Sequence, residues 1–286
     1  MLGRRGTLPF LVGPPLLWLT FCFLVPVVLI GVFSFRPETG PVDLFGPRGF
    51  SLVQYGEVFG TAAFLRLLGI SVLMAMGIAA FATVLAYPVA YFLAFRAGRR
   101  ATLFLTLLLV PFAVSYLLRV MAWKLMLGPE GTINSLLETV GLTDEPLDLL
   151  LYSRAAVMVT LVYVWIPFAA LPIYAAMQRI QRSHLEAAAD LGAGPWARFL
   201  RVTLPLSLPG ALASFFMVFI PTVGEYVTPT LVGGTEGIMY GNIIQGFFTR
   251  SANWPQGSAL AMVMLVLTLA LVAVALRLID LRRLAT

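Results

Sequence analysis

Residues 183–205 read SHLEAAADLGAGPWARFLRVTLP, a polar interruption between two long apolar runs. It holds His184, the one histidine of the chain, which reads as ordinary surface or interface. Ser183-x-x-Glu186 has capping-box spacing: the serine can accept from the first backbone N–H groups and the glutamate can reach back. Glu186 either completes that cap or offers its carboxylate to a partner; the spacing alone leaves both open. A short helix then runs through Glu186-Ala187-Ala188-Ala189-Asp190. Gly192 and Gly194 supply a tight turn, since glycine tolerates positive φ. Pro195 suits the first position of a second helix, from which Trp196, Phe199 and Leu200 dock on the rest of the protein. The stretch is therefore a stiff helix-turn-helix with an Ala-rich surface that another protein can approach closely.

What surrounds it is too apolar for water. Of 286 residues, 60% are apolar and 11% charged, against about 25% charged in a soluble domain. Lipid is the expected solvent for most of this chain. Cys22 is the only cysteine, which excludes an internal disulfide or a thiolate metal cluster. The uncharged run Thr7 to Phe35 is too long for a signal-peptide core and no A-x-A site follows, so it is read as a retained first span. Lys124 is the only lysine and follows Trp123, so the Gly-Lys-Ser/Thr of a phosphate-cradling loop is absent.

A spanning helix needs about 20 mostly apolar residues. Six runs meet or approach that: 9–35, 64–95, 101–127, 154–178, 203–227 and 258–278. Alternate connections and the two tails sort the charges into two sets. One holds twelve cations (Arg4, Arg5, Arg96, Arg99, Arg100, Arg179, Arg182, Arg198, Arg201, Arg277, Arg282, Arg283) and three acids (Glu186, Asp190, Asp280). The other holds seven cations (Arg36, Arg48, Arg66, Arg119, Lys124, Arg154, Arg250) and ten acids. The positive-inside rule places the first set in the cytoplasm, with both termini and the 179–204 connection. The net charge of +6 is thereby a topology signal, and nucleic acid is not an expected partner. The whole of 1–286 reads as a single transmembrane domain, all-α with six helices, N-in and C-in.

The outer connections differ. Residues 36–62 are rich in Gly and Pro and end in an amphipathic stretch, SLVQYGEVF. Residues 128–153 carry Glu130, Glu138, Asp144, Glu145 and Asp148 with no Lys or Arg. That loop is either simply solvated or an acidic landing surface for an external partner or a cation. Residues 233–257 hold GGTEGIMYGNIIQGFF, a short helix, then an irregular NWPQG entry to the last span. Within the fifth run, Pro221, Gly224 and Pro229 flank Glu225. Helix breakers are tolerated in a span where the freed backbone lines a protein interior or wet cavity, and an intramembrane acid is a functional candidate. Tyr226 and Tyr116 can add phenol oxygens and Trp123 an aromatic face for cations. The alternative puts Glu225 at the outer mouth, solvated or paired with Arg119 or Lys124. Asn242 either caps the outer helix or lines the gate. Pro26, Pro88, Pro111, Pro167 and Pro172 read as kinks that shape the bundle.

Two resemblances sharpen the function. Glu186-Ala187-Ala188, Gly192 and Val202-Thr203-Leu204-Pro205 resemble the EAA signature of ATP-binding-cassette importer permeases: Glu-Ala-Ala, three residues, Gly, nine residues, Ile-x-Leu-Pro. Val202 in place of Ile is the one departure. The resemblance implies the type I ABC importer permease fold in a bacterial inner membrane. It makes the loop, with Glu186, Ala187, Ala188, Asp190, Leu191 and Gly192, the coupling element for a separate ATPase. Two ATPase subunits, a second and related permease chain, an external solute-binding protein and lipid are the implied partners. ATP and Mg would be bound by the ATPase, with no cofactor on this chain, so the chain is expected not to be an enzyme.

Pro111-Phe112, Ser115-Tyr116-Leu117-Leu118-Arg119, Ala122-Trp123, Gly131-x-Ile133-Asn134 and Leu142 resemble spermidine/putrescine permeases, as do Pro221 to Gly234, Gly241-Asn242 and Asn253-Trp254-Pro255. This likeness covers roughly residues 60–280. It implies polyamine cargo, with Glu225, Tyr226, Tyr116, Trp123 and Asn242 as candidates along its path. Opine, 2-aminoethylphosphonate and ferric-iron permeases share parts of the pattern. A gradient-driven secondary transporter, a membrane enzyme and a purely structural or receptor membrane protein are the rivals from other classes. The first would need no ATPase; the second lacks any His cluster, metal-ligand spacing or nucleophile-base pair.

Overall fold

Apolar runs that bury their backbone hydrogen bonds internally become helices, and among the described residues of the computed structural model no strand occurs. The described residues are 8–37, 49–143, 147 and 151–278. Arg4, Arg5, Arg48, Asp144, Glu145, Asp148, Asp280, Arg282 and Arg283, which entered the charge count, lie outside them. Among the described residues, five helical segments are long and apolar enough to cross a bilayer: Val12–Phe33, Ala62–Phe95, Arg154–Gln178, Pro195–Val223 and Trp254–Arg277. They correspond to the first, second, fourth, fifth and sixth apolar runs.

The third run departs from expectation. Instead of one helix over 101–127, the segments Gly98–Ala113 and Tyr116–Thr139 meet at 85°. The chain is helical as α4 over Ala101–Leu109, tightens into a 3-10 turn over Val110–Ala113, and restarts at Tyr116. Pro111 has no N–H to give the ladder. Val114 and Ser115 are extended, with ψ of 138° at both, so two residues leave the helix. Pro111 thus belongs to a break, where a kink was expected. The fifth run also ends before residue 227, because its helix stops at Val223 with Gly224 as cap.

The described residues form two compact units. The first comprises Met1–Arg66 with Ile243–Leu267. It contains α1 (Leu8–Phe33) and α2 (Val53–Gly60), the latter formed by the amphipathic stretch read at 51–59. Ser34 Oγ and Tyr55 Oη lie 2.8 Å apart and join the end of α1 to α2. The outward side chains of α1 are bulky and uncovered, Trp18 and Phe23 among them.

The second unit comprises Leu67–Asn242 with Thr268–Thr286. It takes most of α3 (Ala62–Phe95), then α4, α5 (Tyr116–Leu127), α6 (Thr132–Thr139), α7 (Arg154–Gln178), α8 (Arg182–Asp190), α9 (Pro195–Arg198) and α10 (Leu204–Val223). Helices α11 (Tyr240–Thr249) and α12 (Trp254–Leu278) run across the division of the chain. The core of this unit is the crossing of α7 on α10. Ala169, Ala170, Ile173 and Met177 are fully buried there. Gly210 lets the backbones close up: a Cβ on it would lie 2.5 Å from Ala176 Cβ and 2.6 Å from the Pro172 carbonyl. Close approach over small residues is how helices associate where lipid removes the hydrophobic drive. The 183–205 stretch and the Glu225 region both belong to this unit.

Candidate functional site

The 183–205 stretch folds as a helix, a turn and a second helix, with a different start from the one its spacing suggests. Helix α8 begins at Arg182, and the extended residue ahead of it is Gln181, without a side-chain cap. Ser183 is inside the first turn, its Oγ 3.4 Å from Gln181 Oε1. The chain leaves α7 through a turn at Arg179 and Ile180, so helical geometry resumes before the serine. Glu186 is consequently no cap residue; it is exposed on the helix surface.

The end of α8 follows the expectation at one glycine and corrects it at the other. Gly192 has φ +81°. Its N–H donates to the Ala189 carbonyl (2.9 Å) and that of Ala193 to the Ala188 carbonyl (3.0 Å), the paired bonds of a Schellman cap. Gly194 has φ −65° and ψ 170°, ordinary extended backbone that precedes Pro195 at the first position of α9. Leu191, next to the turn, is 89% exposed and touches nothing that would hide it. Of the three residues expected to dock, Phe199 does so, with its ring 5.7 Å from Tyr87 and 6.1 Å from Tyr91. Trp196 stacks on Phe199 yet stays largely exposed, and Leu200 is exposed as well. Beyond α9 the chain passes through a π turn at Phe199–Thr203 and into α10, so a short connection joins α8 to the α10 span.

At the other end of α10 the chain breaks again. Gly224, Glu225 and Tyr226 are non-helical, and helical turns resume at Val227, with a π turn over Pro229–Gly233. Glu225 Oε1 accepts from the N–H of Val227 (2.8 Å) and Thr228 (3.2 Å), so the carboxylate caps the restart. Thr228 is buried, and its Oγ1 lies 2.5 Å from Tyr116 Oη, the first residue of α5. The break in the third run and the break in the fifth are thus tied to each other. The Tyr116 ring lies 5.9 Å from the Arg119 guanidinium.

The cations do not pair with Glu225 in the way the alternative reading supposed. The Arg119 guanidinium sits over the Phe112 ring (4.6 Å), and the Lys124 ammonium lies 5.6 Å from the Tyr152 ring. Trp123 is about two turns further along α5, or ~10 Å from Tyr116, with its ring against Tyr163 at 5.3 Å. It is not part of the Glu225 cluster. The Tyr226 ring is partly exposed, while its carbonyl accepts from Asn242 Nδ2 at 2.9 Å.

Asn242 acts as a cap. Its Oδ1 accepts the Met239 N–H at 2.9 Å, the reach-back half of a capping box, and its Nδ2 also donates to Thr230 Oγ1 at 2.7 Å. Gly241 is equally constrained, because a Cβ there would lie 2.7 Å from the carbonyls of Gly224 and Glu225. Buried Asn134 ties its loop down through the Gly128 carbonyl and the Leu147 N–H. Thr228 and Gly241 were not singled out for any role from sequence, although both lie in the segments that carry the polyamine-permease resemblance.

Residues 83–285 match the family described as "Binding-protein-dependent transport system inner membrane component". The chain is 34% identical over 251 residues to the spermidine/putrescine transport system permease protein PotB of Haemophilus influenzae, covering 86% of this chain and 84% of that one. It is 33% identical to PotB of Escherichia coli K12, covering 86% and 88%. It is also 29% identical over 289 residues to the E. coli inner membrane ABC transporter permease protein YdcU, covering 96% and 90%. Among solved structures, a bacterial ABC transporter involved in alginate import has a chain that superposes with a TM-score of 0.72 at 16% identity, over 96% of this chain and 95% of that one. Over 78% of this chain and 99% of the other, the MetNI methionine ABC transporter matches with a TM-score of 0.54 at 17% identity. The chain belongs to the family of binding-protein-dependent transport system inner membrane components and is a multi-pass permease subunit of an ABC importer.

Proposed function

We propose that this permease carries polyamines such as spermidine and putrescine, and that their ammonium groups pass Glu225. The observation that supports this most is the carboxylate itself, held at a helix break between α10 and the 229–233 turn. A carboxylate offers about four lone-pair sites, and two are used on the N–H groups of Val227 and Thr228. Capacity remains for an ammonium, and a charge-assisted bond there is roughly twice as strong as a neutral one. Tyr226 and Tyr116 flank it with aromatic faces that suit cations. Trp123 and Asn242 act more remotely, the first through packing on Tyr163 and the second by holding the Tyr226 carbonyl.

The driving force enters at α8. The exposed Glu186 to Leu191 surface, with its small residues Ala187 and Ala188, its acid Asp190 and the stiff turn at Gly192, is the contact for an ATPase subunit that binds ATP and Mg. A second permease chain completes the pore and an external binding protein delivers cargo. Closure of the ATPases moves α8 and α9 as one piece and opens the path outward; hydrolysis resets it.

Uptake of radiolabelled spermidine by Glu225→Gln cells tests the cargo reading, with ATPase co-purification as the control. Lost uptake with intact co-purification is expected, and uptake equal to the parent's refutes it. For coupling, Glu186→Ala is expected to abolish uptake with normal membrane levels of the protein; normal uptake refutes that role.

A further inference from the structure

We propose that Arg119 is an internal counter-cation for Glu225, pairing with the carboxylate when the cargo site is empty and yielding it only to a polyvalent amine. The inference rests on the reading that Glu225 lies on the cargo path. Arg119 is 9% exposed, and its Nε is buried with no hydrogen-bond partner. Its guanidinium lies over Phe112 at 4.6 Å and at the wider distance of 5.9 Å from the Tyr116 ring. Ring faces offset only a part of what it costs to bury a charge. The location adds to the cost: Arg119 is the fourth residue of α5, within reach of the positive end of that helix's dipole. A buried cation in that position needs an anion in some state of the molecule.

Glu225 is the acid placed to supply it. Tyr116 lies between the two: its ring is 5.9 Å from the Arg119 guanidinium, and its hydroxyl meets Thr228, whose own N–H is bound by Glu225. The extended residues Val114 and Ser115 precede α5 and give it a pivot. A small rotation of α5 about that pivot exchanges the ring contacts of Arg119 for the carboxylate. The empty path is then neutral and closed to small cations. A monovalent cation that competes for Glu225 must displace a fixed guanidinium, with little gained. A polyamine brings several charges, and the ammonium that takes Glu225 is helped by the others binding elsewhere along the chain. The pairing thus acts as a filter for cargo charge.

The test uses the intact transporter isolated through a tag on this chain, with radiolabelled spermidine as ligand and butylamine, a monoamine, as competitor. Removing a like charge beside the carboxylate is expected to improve monoamine binding by about tenfold or more. Arg119→Gln should therefore let butylamine compete at about a tenth of the parent's concentration. Arg119→Lys should compete as the parent does, and the gain should vanish in Arg119→Gln with Glu225→Gln. Equal competition in Arg119→Gln and parent, with spermidine binding lost in Glu225→Gln, overturns the counter-cation and leaves the cargo site standing. A gain that persists without Glu225 also overturns it. Unchanged spermidine binding in Glu225→Gln overturns the cargo reading and this inference with it. If Arg119→Gln alone fails to assemble, rescue by adding Glu225→Gln supports the pairing; failure of both variants to assemble makes Arg119 structural and refutes it.

Discussion

Gly192 and Gly194 sit two residues apart in the same turn, look equivalent in sequence, and should respond differently to substitution. Gly192 has φ +81°, and no atom lies within 4 Å of where a Cβ on it would stand, so a side chain there meets no steric wall within this chain. The cost is in the backbone alone. An ordinary L-residue in left-handed geometry loses about 1–2 kcal/mol, a factor of roughly 5–30 in how often the Schellman turn is formed. Asn tolerates that region better than Ala, and β-branched Val tolerates it worst. Gly194 has φ −65° and the same open surroundings, so Ala there costs little. Initial rates of spermidine uptake, normalised to membrane-embedded protein, should run parent, then Gly192→Asn, then Gly192→Ala, then Gly192→Val, with Gly194→Ala near the parent. Side-chain size predicts another order, with Ala better than Asn, and that order would mean a partner's surface presses on Gly192. Either that order or a Gly194→Ala loss equal to Gly192→Ala refutes the backbone origin of the effect.

Other substitutions probe the frame that holds the two sites. Gly210→Ala should lower the thermal midpoint of the detergent-solubilised transporter through overpacking of about 1–3 kcal/mol, since its Cβ would lie 2.5 Å from Ala176 Cβ; Gly69→Ala, in open space on α3, should leave the midpoint unchanged or slightly raised. Tyr116→Phe should destabilise by about 1–3 kcal/mol by orphaning the buried Thr228 hydroxyl. Adding Thr228→Val to it should recover part of that loss, and additive midpoints would deny the bond. Asn242→Ala removes bonds to Met239, Tyr226 and Thr230 and should cost about 1–3 kcal/mol. Asn242→Asp keeps only the acceptor side, so its thermal midpoint should fall between parent and Ala; a midpoint equal to the parent's would show that the donor bonds contribute nothing.

Five spans were legible because hydropathy adds up over about 20 residues and tolerates errors at either end. The turn at Gly192 was legible because positive φ selects a residue type. The break at Val114 and Ser115 was hidden: the run is uncharged from Ala101 to Leu118, and one proline in such a run is as compatible with a kink as with an 85° bend. The bend comes with a contact 112 residues away, Tyr116 with Thr228, which no local pattern encodes. The Ser183 cap misled for a related reason. Its spacing was right, but where α8 starts depends on how α7 ends, and Gln181 takes the extended position first. Asn242 was left undecided between cap and gate, because only the Met239 N–H and the Tyr226 carbonyl distinguish them.

The two breaks explain each other. An interrupted span leaves backbone groups without helical partners, and in lipid each must be satisfied. In the fifth run Glu225 supplies two of those bonds itself and Asn242 supplies another to the Tyr226 carbonyl. Those bonds fix Glu225 Oε1 on its own chain and so orient the carboxylate rather than leave it free to rotate. The restart of α5 brings Tyr116 to Thr228, whose N–H that oriented group accepts, with the Arg119 guanidinium 5.9 Å from the Tyr116 ring. A straight third helix would not turn at Ser115, and its Tyr116 would continue along the α4 axis, away from the Thr228 bond. The same 85° bend that sequence could not reveal is therefore what brings the phenol to the turn that the acid caps. Straightening it should part them, so a substitution such as Ser115→Ala that favours helix at the break is expected to weaken spermidine binding without touching Glu225, and undiminished binding would separate the bend from the site.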